Sequence, residues 1–188
     1  MPRTEDILST LRMLKQEHLD VRTVTMGINL SQCADRDVDR LCDKIRSTIV
    51  SAAEKLKETC NIVSARYGVQ IVNRRLAVTP IARVADGHSV DGMRQIAGTL
   101  DAAAAEVDID LIGGFSALVH GGMTSGAHRL LESLPRVLAE TQRVCASVNV
   151  ATTQVGINMD AVRILGEQLR SVAGATPERA GRRSAQLQ

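Results

Sequence analysis

The nine residues Arg143–Ala151, RVCASVNVA, decide the fold class of this 188-residue chain. Small or branched apolar residues alternate there with small polar ones: the apolar set is Val144, Ala146, Val148 and Val150, and the polar set is Cys145, Ser147 and Asn149. A period of two is typical of a β-strand whose two faces meet different surroundings. Strands of a parallel sheet that is covered by helices on both sides are apolar on both faces. The pattern therefore predicts a strand with a helix layer on its valine-rich side only.

A strand with the same alternation lies near the start of the chain. In residues 21–30, VRTVTMGINL, apolar residues alternate with a small, mostly polar set made of Thr23, Thr25, Gly27 and Asn29. The polar faces of both strands have to meet something other than hydrocarbon. They favour a barrel lumen or a half-barrel concavity over an open sheet with two apolar faces.

Around these strands the chain alternates strand and helix patterns four times behind a leading helix. The predicted helices are a leading one with Ile7, Leu8, Leu11 and Leu14, one long helix over 38–67 that Gly68 ends, helices over 89–107 and 127–134, a turn or two behind Pro135, and a last helix that Asn158 caps. The other predicted strands are VQIVNRRLAVTP (69–80), with a bulge or short hairpin at Asn73–Arg75, and DIDLIGG (108–114). Strands that alternate with helices imply parallel strands joined by right-handed crossovers, so the predicted class is α/β.

Composition argues against several classes of function. The chain has one Tyr, one Phe and no Trp, which argues against a base-stacking platform for single-stranded nucleic acid. The net charge is only +2, and the sequence predicts no basic face outside the Arg-rich segment ERAGRR. Nucleic acid is therefore not an expected partner. We expect no membrane span, because no apolar run is long enough, and no secretory signal, because the start MPRTEDILST is polar. Four scattered cysteines without a CxxC pair predict reduced thiols in a cytoplasmic protein.

The glycine-rich residues 112–126, IGGFSALVHGGMTSG, begin at the end of the third predicted strand. Because ligands of parallel α/β folds bind at the carboxyl ends of the strands, a ligand-binding rim is predicted there. Its candidate residues are Asn29, Thr79, Gly113, Gly114, Ser116, Ser147 and Asn149. Glycine backbone N–H groups, and a helix start at Thr124 or Ser125, favour an anionic ligand. The alternative is that the glycines serve only a turn, since the stretch has neither GxGxxG nor the lysine of a phosphate-binding loop.

Cys145 is the candidate catalytic group, because it lies on the polar face of its strand. The alternative is an inert buried thiol, since no histidine is adjacent in sequence to activate it. His120 and His128 have no Asp, Glu or His at metal-ligand spacing, so no metal site is predicted. Three arginines near the second strand are candidates for holding an acidic substrate: Arg74, Arg75 and Arg83.

Five segments resemble, in order, the N-terminal part of one protein family: RTVTMGINL, VNRRLAVTPI, IGGFSALVHGG, LPRVLAETQRVCASVNV and GINMDAV. The family is the group called PFL family protein, also known as the domain-of-unknown-function 711 family. The resemblance implies a fold similar to pyruvate formate-lyase and the glycyl radical enzymes, which form an α/β barrel, and it implies a homodimer. It also implies that residues 1–172 are the N-terminal part of such a barrel domain, with a disordered or non-family tail over 173–188. It implies no particular reaction and leaves any cofactor unknown.

These observations lead to one hypothesis and two alternatives. The hypothesis is a protein that binds a small anionic metabolite at the strand ends of a glycyl-radical-enzyme-like barrel, with its reaction unassigned. The first alternative is a metabolite-binding or regulatory protein without catalysis, because no catalytic residues occur at diagnostic spacing. The second is a truncated chain that is inactive alone, because half a barrel leaves strand edges and apolar surface exposed.

Overall fold

The computed structural model describes residues 4–16 and 23–177, which alternate between helices and parallel strands. The helices are α1 (Thr4–Lys15), α2 (Val38–Ala53), α3 (Leu56–Tyr67), α4 (Ile81–Val84), α5 (Val90–Glu106), α6 (Ser125–Glu140) and α7 (Met159–Ala175). The strands are β1 (Thr23–Ile28), β2 (Asn73–Val78), β3 (Leu111–Leu118), β4 (Val144–Asn149), β5 (Ala151–Thr152) and β6 (Gly156–Ile157). None of the described helices is both long enough and apolar enough to span a bilayer.

The main sheet has the order β1-β2-β3-β4, and each neighbouring pair is parallel. The helices follow the same order, since α2 contacts α5, α5 contacts α6 and α6 contacts α7. Each crossover therefore returns on the same side of the sheet, and the helices form one layer. The prediction of an α/β fold with alternating strands and helices is confirmed.

The core lies between this helix layer and one face of the sheet. Side chains on that face are buried, among them Leu76, Ile112, Phe115, Val144 and Ala146. Residues that alternate with them are exposed, as Thr25, Ala77 and Ser147 show. Within the described ranges, β1 and β4 are edge strands and the sheet is open. The one-sided helix layer is therefore as predicted, whereas the structure does not show closure into a barrel.

Several helix ends follow the sequence prediction. The Ser89 hydroxyl accepts a hydrogen bond from the Gly92 amide at the start of α5, and Asn158 Oδ1 accepts one from the Ala161 amide at the start of α7. Gly68 ends α3 with a φ of +67°, a left-handed conformation that glycine adopts without steric cost.

The predicted single helix over 38–67 is wrong, because the structure divides it into α2 and α3 at Glu54 and Lys55. The prediction of two short helical pieces on either side of Pro135 is also wrong, since α6 runs through this proline. A proline inside a helix removes one backbone hydrogen bond. The buried residues on both sides of it, Leu131, Leu134, Val137 and Leu138, hold α6 on the core as one element. The continuation of α6 through Pro135 shows that packing overrides a local helix-breaking signal.

The bulge was predicted in the wrong strand. Asn73–Arg75 pair in regular register with Thr23–Thr25, and the Arg74 amide donates to Asp110 Oδ2 at 2.7 Å. The irregular position lies instead in β3, between Gly113 and Phe115. The third strand also extends to Leu118, four residues beyond its predicted end at Gly114.

The predicted leading helix is present as α1, and the last helix extends into the segment that was predicted as a tail. The apolar side chains of α1 at Ile7, Leu8 and Leu11 are exposed. Helix α7 continues to Ala175, so the predicted disordered tail begins inside a helix. Residues 178–188 lie outside the described residues, so the disorder of the tail there stays a prediction.

Candidate functional site

The candidate site lies on the side of the main sheet that is opposite to the helix layer, which we call the open face. Strand alternation and register place on it Thr25, Gly27, Asn29, Arg75, Ala77, Thr79, Leu111, Gly113, Ser116, Leu118, Cys145, Ser147 and Asn149. Gly27, Ala77, Gly113 and Cys145 are successive partners across the four strands. Because the residues of β1, β2 and β3 in this row are glycine or alanine, the backbone of these strands lies close to the surface. The Cys145 thiol is the one functional group of the row. Ser116 pairs with Ser147 in the next row toward the carboxyl ends.

Asn29 and Thr79 meet at the carboxyl ends of β1 and β2. The Thr79 hydroxyl donates to Asn29 Oδ1 at 3.1 Å and accepts from the Leu30 amide at 3.0 Å. Asn29 Oδ1 also accepts from the Ser31 amide at 2.9 Å. These donors fix the orientation of the side-chain amide, because only its oxygen can accept them. The Nδ2 group, a double donor, is left for another partner.

Asn149 repeats this arrangement on β4, at the other edge of the sheet. Its Oδ1 accepts from the Ala151 amide at 3.2 Å, so its Nδ2 is again available. Asn29 and Asn149 are both exposed. The structure therefore presents two amide donors, each oriented by the backbone, at the carboxyl end of the open face.

Gly113 and Gly114 were predicted at the end of the third strand and Ser116 beyond it, but all three lie inside β3. Gly114 is the bulged residue, with a φ of +117°. The hydroxyl of Ser116 donates to the carbonyl of Gly114 at 3.3 Å, and Ser116 is buried. In the described structure Ser116 thus stabilises the bulge, while Gly113 belongs to the middle of the open face.

An external anion was predicted at the start of α6, but in the structure the carboxylate of Asp86 occupies this position. Asp86 Oδ1 accepts from the Gly126 amide at 2.9 Å and from the Ser125 hydroxyl at 3.2 Å. Thr124 Oγ1 accepts from the Ala127 amide at 3.1 Å. Because these groups already fill the first turn of α6, the helix start no longer supports an external anion. Sequence reasoning missed Asp86, since it lies 39 residues before Ser125 with no local pattern to connect them.

Of the three candidate arginines, Arg75 is the one that the structure places on the open face. Arg74 is held by Asp110 at 3.5 Å and by Asp108 at 4.0 Å. Arg75 is exposed and has no ion-pair partner in the described part of the chain. Hydrogen bonding from Lys57 lowers the pKa of Asp108, so this carboxylate stays charged beside Arg74 at neutral pH. Arg75 is thus the positive charge at the amino-terminal side of the open face.

No group of three or more metal-ligating side chains occurs among residues 4–16 and 23–177. His128 Nδ1 lies 3.7 Å from Glu132 on the surface of α6. His120 has a buried Nδ1 without a hydrogen-bond partner in the described structure. A surface depression between α5 and α6, lined by Asp91, Arg94, Gln95 and Glu140, contains ion pairs of Arg94 with Asp91 and Glu140. It belongs to the helix layer and not to the open face.

Cys145 is half-buried, whereas Cys33, Cys42 and Cys60 are buried, and none of the four forms a disulfide. Cys145 Sγ lies 4.0 Å from the Arg143 carbonyl oxygen. Burial raises the pKa of Cys42, which keeps that thiol protonated and unreactive. Position on the open face and exposure both single out Cys145 for reaction with external reagents.

We predict that the folded chain reacts with a bulky thiol reagent at one cysteine, and at all four after unfolding. The measurement is the thiol stoichiometry with dithionitrobenzoate in buffer and in guanidinium chloride. Cys145→Ser should reduce the native stoichiometry from about one to about zero, because the other thiols are shielded. Rapid reaction of even one thiol in the folded Cys145→Ser variant would contradict the assignment.

The fold and site define a class: an α/β protein with a one-sided helix layer and a polar, small-residue sheet face. Residues 12–188 match the family described as Uncharacterised ACR (DUF711), and the chain belongs to this family. The chain is 50% identical over 177 residues to a UPF0210 protein of Methanococcoides burtonii, covering 94% of this chain and 39% of that protein. It is 50% identical over 175 residues to one of Pelobacter propionicus, covering 93% and 38%. A third, from Desulforudis audaxviator, is 47% identical over 175 residues, covering 93% and 39%.

The chain therefore spans about two-fifths of the length of these relatives. The matched range includes residues 173–188, for which the sequence predicted a tail outside the family pattern. The prediction of a family without an assigned activity is confirmed at this level.

Proposed function

We propose that the open face is the wall of a binding site for a small anionic metabolite. The observation that carries the proposal is the pair of oriented amide donors, Asn29 Nδ2 and Asn149 Nδ2. Groups that offer only N–H donors suit carboxylate or phosphate oxygens. Arg75 adds a positive charge on the same face.

The ligand would lie over the row of small residues and contact the side chains around it. Ser147 is exposed beside Cys145 and Asn149, so β4 supplies a hydroxyl, a thiol and an amide in alternate positions. Asn29 and Asn149 stand on the two outer strands, which in a flat sheet are about 14 Å apart, three inter-strand spacings. For both amides to bind one small molecule, the sheet has to curve as the wall of a barrel does.

We further propose that the open face is enclosed in full-length family members, as in the barrel of pyruvate formate-lyase and the glycyl radical enzymes. Two observations support enclosure: the polar face has no cover within the described residues, and the relatives are about two and a half times as long as the matched part. A cytoplasmic location and a homodimer remain predictions. No cofactor and no reaction are proposed.

The experiment is a thermal-shift screen with small carboxylates, phosphates and amino acids, followed by calorimetry on each hit. We expect Ser147→Leu to weaken binding by about tenfold or more, since it fills the site with an apolar side chain. Ser51→Leu, an equal change on the exposed side of α2, is the matched control and should bind normally. Arg75→Gln should weaken the binding of anionic ligands specifically, and Arg136→Gln is its control. Unchanged affinity in both Ser147→Leu and Arg75→Gln would show that the ligand binds elsewhere.

A binding protein without catalysis is the second candidate. The register neighbours of Cys145 toward β2 and β1 are Gly113, Ala77 and Gly27, which offer no side-chain acid or base. Product analysis after incubation with each hit distinguishes a protein that converts its ligand from one that only binds it, because a purely binding protein returns its ligand unchanged.

A further inference from the structure

The sheet and the helix layer end together at β4 and α7. Arg143 O and Asn149 O accept hydrogen bonds from β3, at Ile112 N and Val119 N, both at 2.9 Å. Because the N–H and C=O of one residue point to the same side of a strand and those of the next residue to the other side, the N–H and C=O groups of Val144, Ala146 and Val148 point away from β3. In the described structure no strand pairs with that edge. Strand β4, with the sequence VCASVN, has neither a charged residue nor a proline, the features that usually protect an exposed strand edge, so it resembles an interior strand.

Helix α7 carries an apolar stripe that borders its buried side and is exposed in the described structure. Its large members are exposed, at 67% for Met159, 38% for Val162 and 36% for Leu169. Gly166 and Ala173 complete the stripe, so the spacing is three, four, three and four residues. This is the spacing of a helix that packs against another helix, and small residues in it permit close approach. Ala161 and Val172 of α7 are buried in the core, and by helix geometry they lie about a third of a turn around the helix from the stripe.

We propose that the outer edge of β4 and the apolar stripe of α7, together the β4–α7 flank, bind a further strand–helix unit of the longer family polypeptide. The strand would pair parallel to β4, and its helix would pack on Met159, Val162 and Leu169. Each described unit of the main sheet adds its strand and its helix to the same side of the preceding unit, and the flank is the next position in that series.

The length of the relatives supports this occupant. About three-fifths of each relative lies outside the matched part, which is ample for further units. Charge adds a detail: Arg163 pairs with Glu167 at 3.0 Å, whereas Arg170 is exposed and has no ion-pair partner among described residues. The incoming helix should therefore present an acidic residue to Arg170.

This proposal concerns assembly and holds whether or not the open face binds a metabolite. The first test places Leu169→Glu and Val162→Glu in the 188-residue chain and at the aligned positions of the full-length Methanococcoides burtonii protein. In the short chain both changes should shift the melting temperature by no more than about 2 °C, because the stripe faces solvent. In the full-length protein they should lower it by roughly 5 °C or more, because the charge would be buried. Ser51→Glu in the short chain is the surface control, and Val172→Glu is the core control that should destabilise both proteins.

The second test uses unaltered sequences. Amide hydrogen exchange at Val144, Ala146 and Val148 of the short chain is compared with the aligned residues of the full-length protein. We expect exchange at least roughly tenfold slower in the full-length protein, since these amides would join a ladder. Equal exchange rates, or full-length variants as stable as the parent, would overturn the proposal. So would a stable dimer of the short chain that Leu169→Glu converts to a monomer, because a second copy would then be the occupant.

Discussion

Gly114→Ala is expected to destabilise the chain severely, although it adds a single methyl group. A Cβ at Gly114 would lie 2.5 Å from the carbonyl oxygen of Val78 and 2.5 Å from its Cγ2. The backbone oxygen belongs to the last residue of β2 and cannot move away without breaking the sheet. The φ of +117° is a second source of strain, because L-residues rarely adopt it.

Together, the steric overlap and the backbone strain should cost about 2–5 kcal/mol. For a chain of this size that corresponds to a melting temperature lower by roughly 5–15 °C. Differential scanning calorimetry measures it. Gly113→Ala is the neighbouring control, since its Cβ would approach no atom closer than 3.8 Å. A melting temperature for Gly114→Ala within 2 °C of that control would mean that the bulge is not built as described.

Phe115→Ala is the second large effect. Phe115 is fully buried and is the chain's one phenylalanine, directly after the bulge and facing the helix layer. Removing the ring leaves a cavity between β3 and the helices, and such truncations cost about 3–5 kcal/mol. With a urea m-value of about 2 kcal/mol/M, the unfolding midpoint should fall by roughly 1.5–2.5 M.

Urea titration followed by circular dichroism tests this prediction. Phe115→Leu should cost about 1–2 kcal/mol, because leucine fills most of the space. Tyr67→Ala removes the other aromatic ring, which is exposed on α3, and should change the midpoint little. Equal losses in Phe115→Ala and Tyr67→Ala would show that Phe115 does not anchor the core.

Both predictions concern the glycine-rich stretch, where sequence reasoning was least accurate. The third strand was predicted to end at Gly113 and Gly114 and a loop to follow, because glycine pairs usually mark turns. In the structure Gly113 lies in the middle of the open face, and Gly114 forms the bulge, where its close approach to Val78 leaves no room for a Cβ. A local pattern gives no sign of this, since the contact that requires Gly114 comes from Val78, 36 residues earlier.

The candidate site was likewise predictable only in part. The alternation in β1 and β4 placed Asn29, Cys145, Ser147 and Asn149 on one face correctly, because strand geometry fixes the direction of alternate side chains. The orientation of the two asparagine amides was not predictable, since it depends on which backbone amides the loops bring to their oxygens. The capping of α6 by Asp86 was likewise invisible, and it removed one reason to expect an anion at that helix.

The amino-acid pattern alone thus specified the α/β class, the parallel strands, the one-sided helix layer and most helix ends. These follow from periodicity and local backbone preferences, which act over a few residues. Tertiary packing decided where the bulge lies, why α6 continues through Pro135 and which polar groups remain available to a ligand. Each of these depends on atoms that are distant along the chain and meet only after the strands have paired and the helices have covered them.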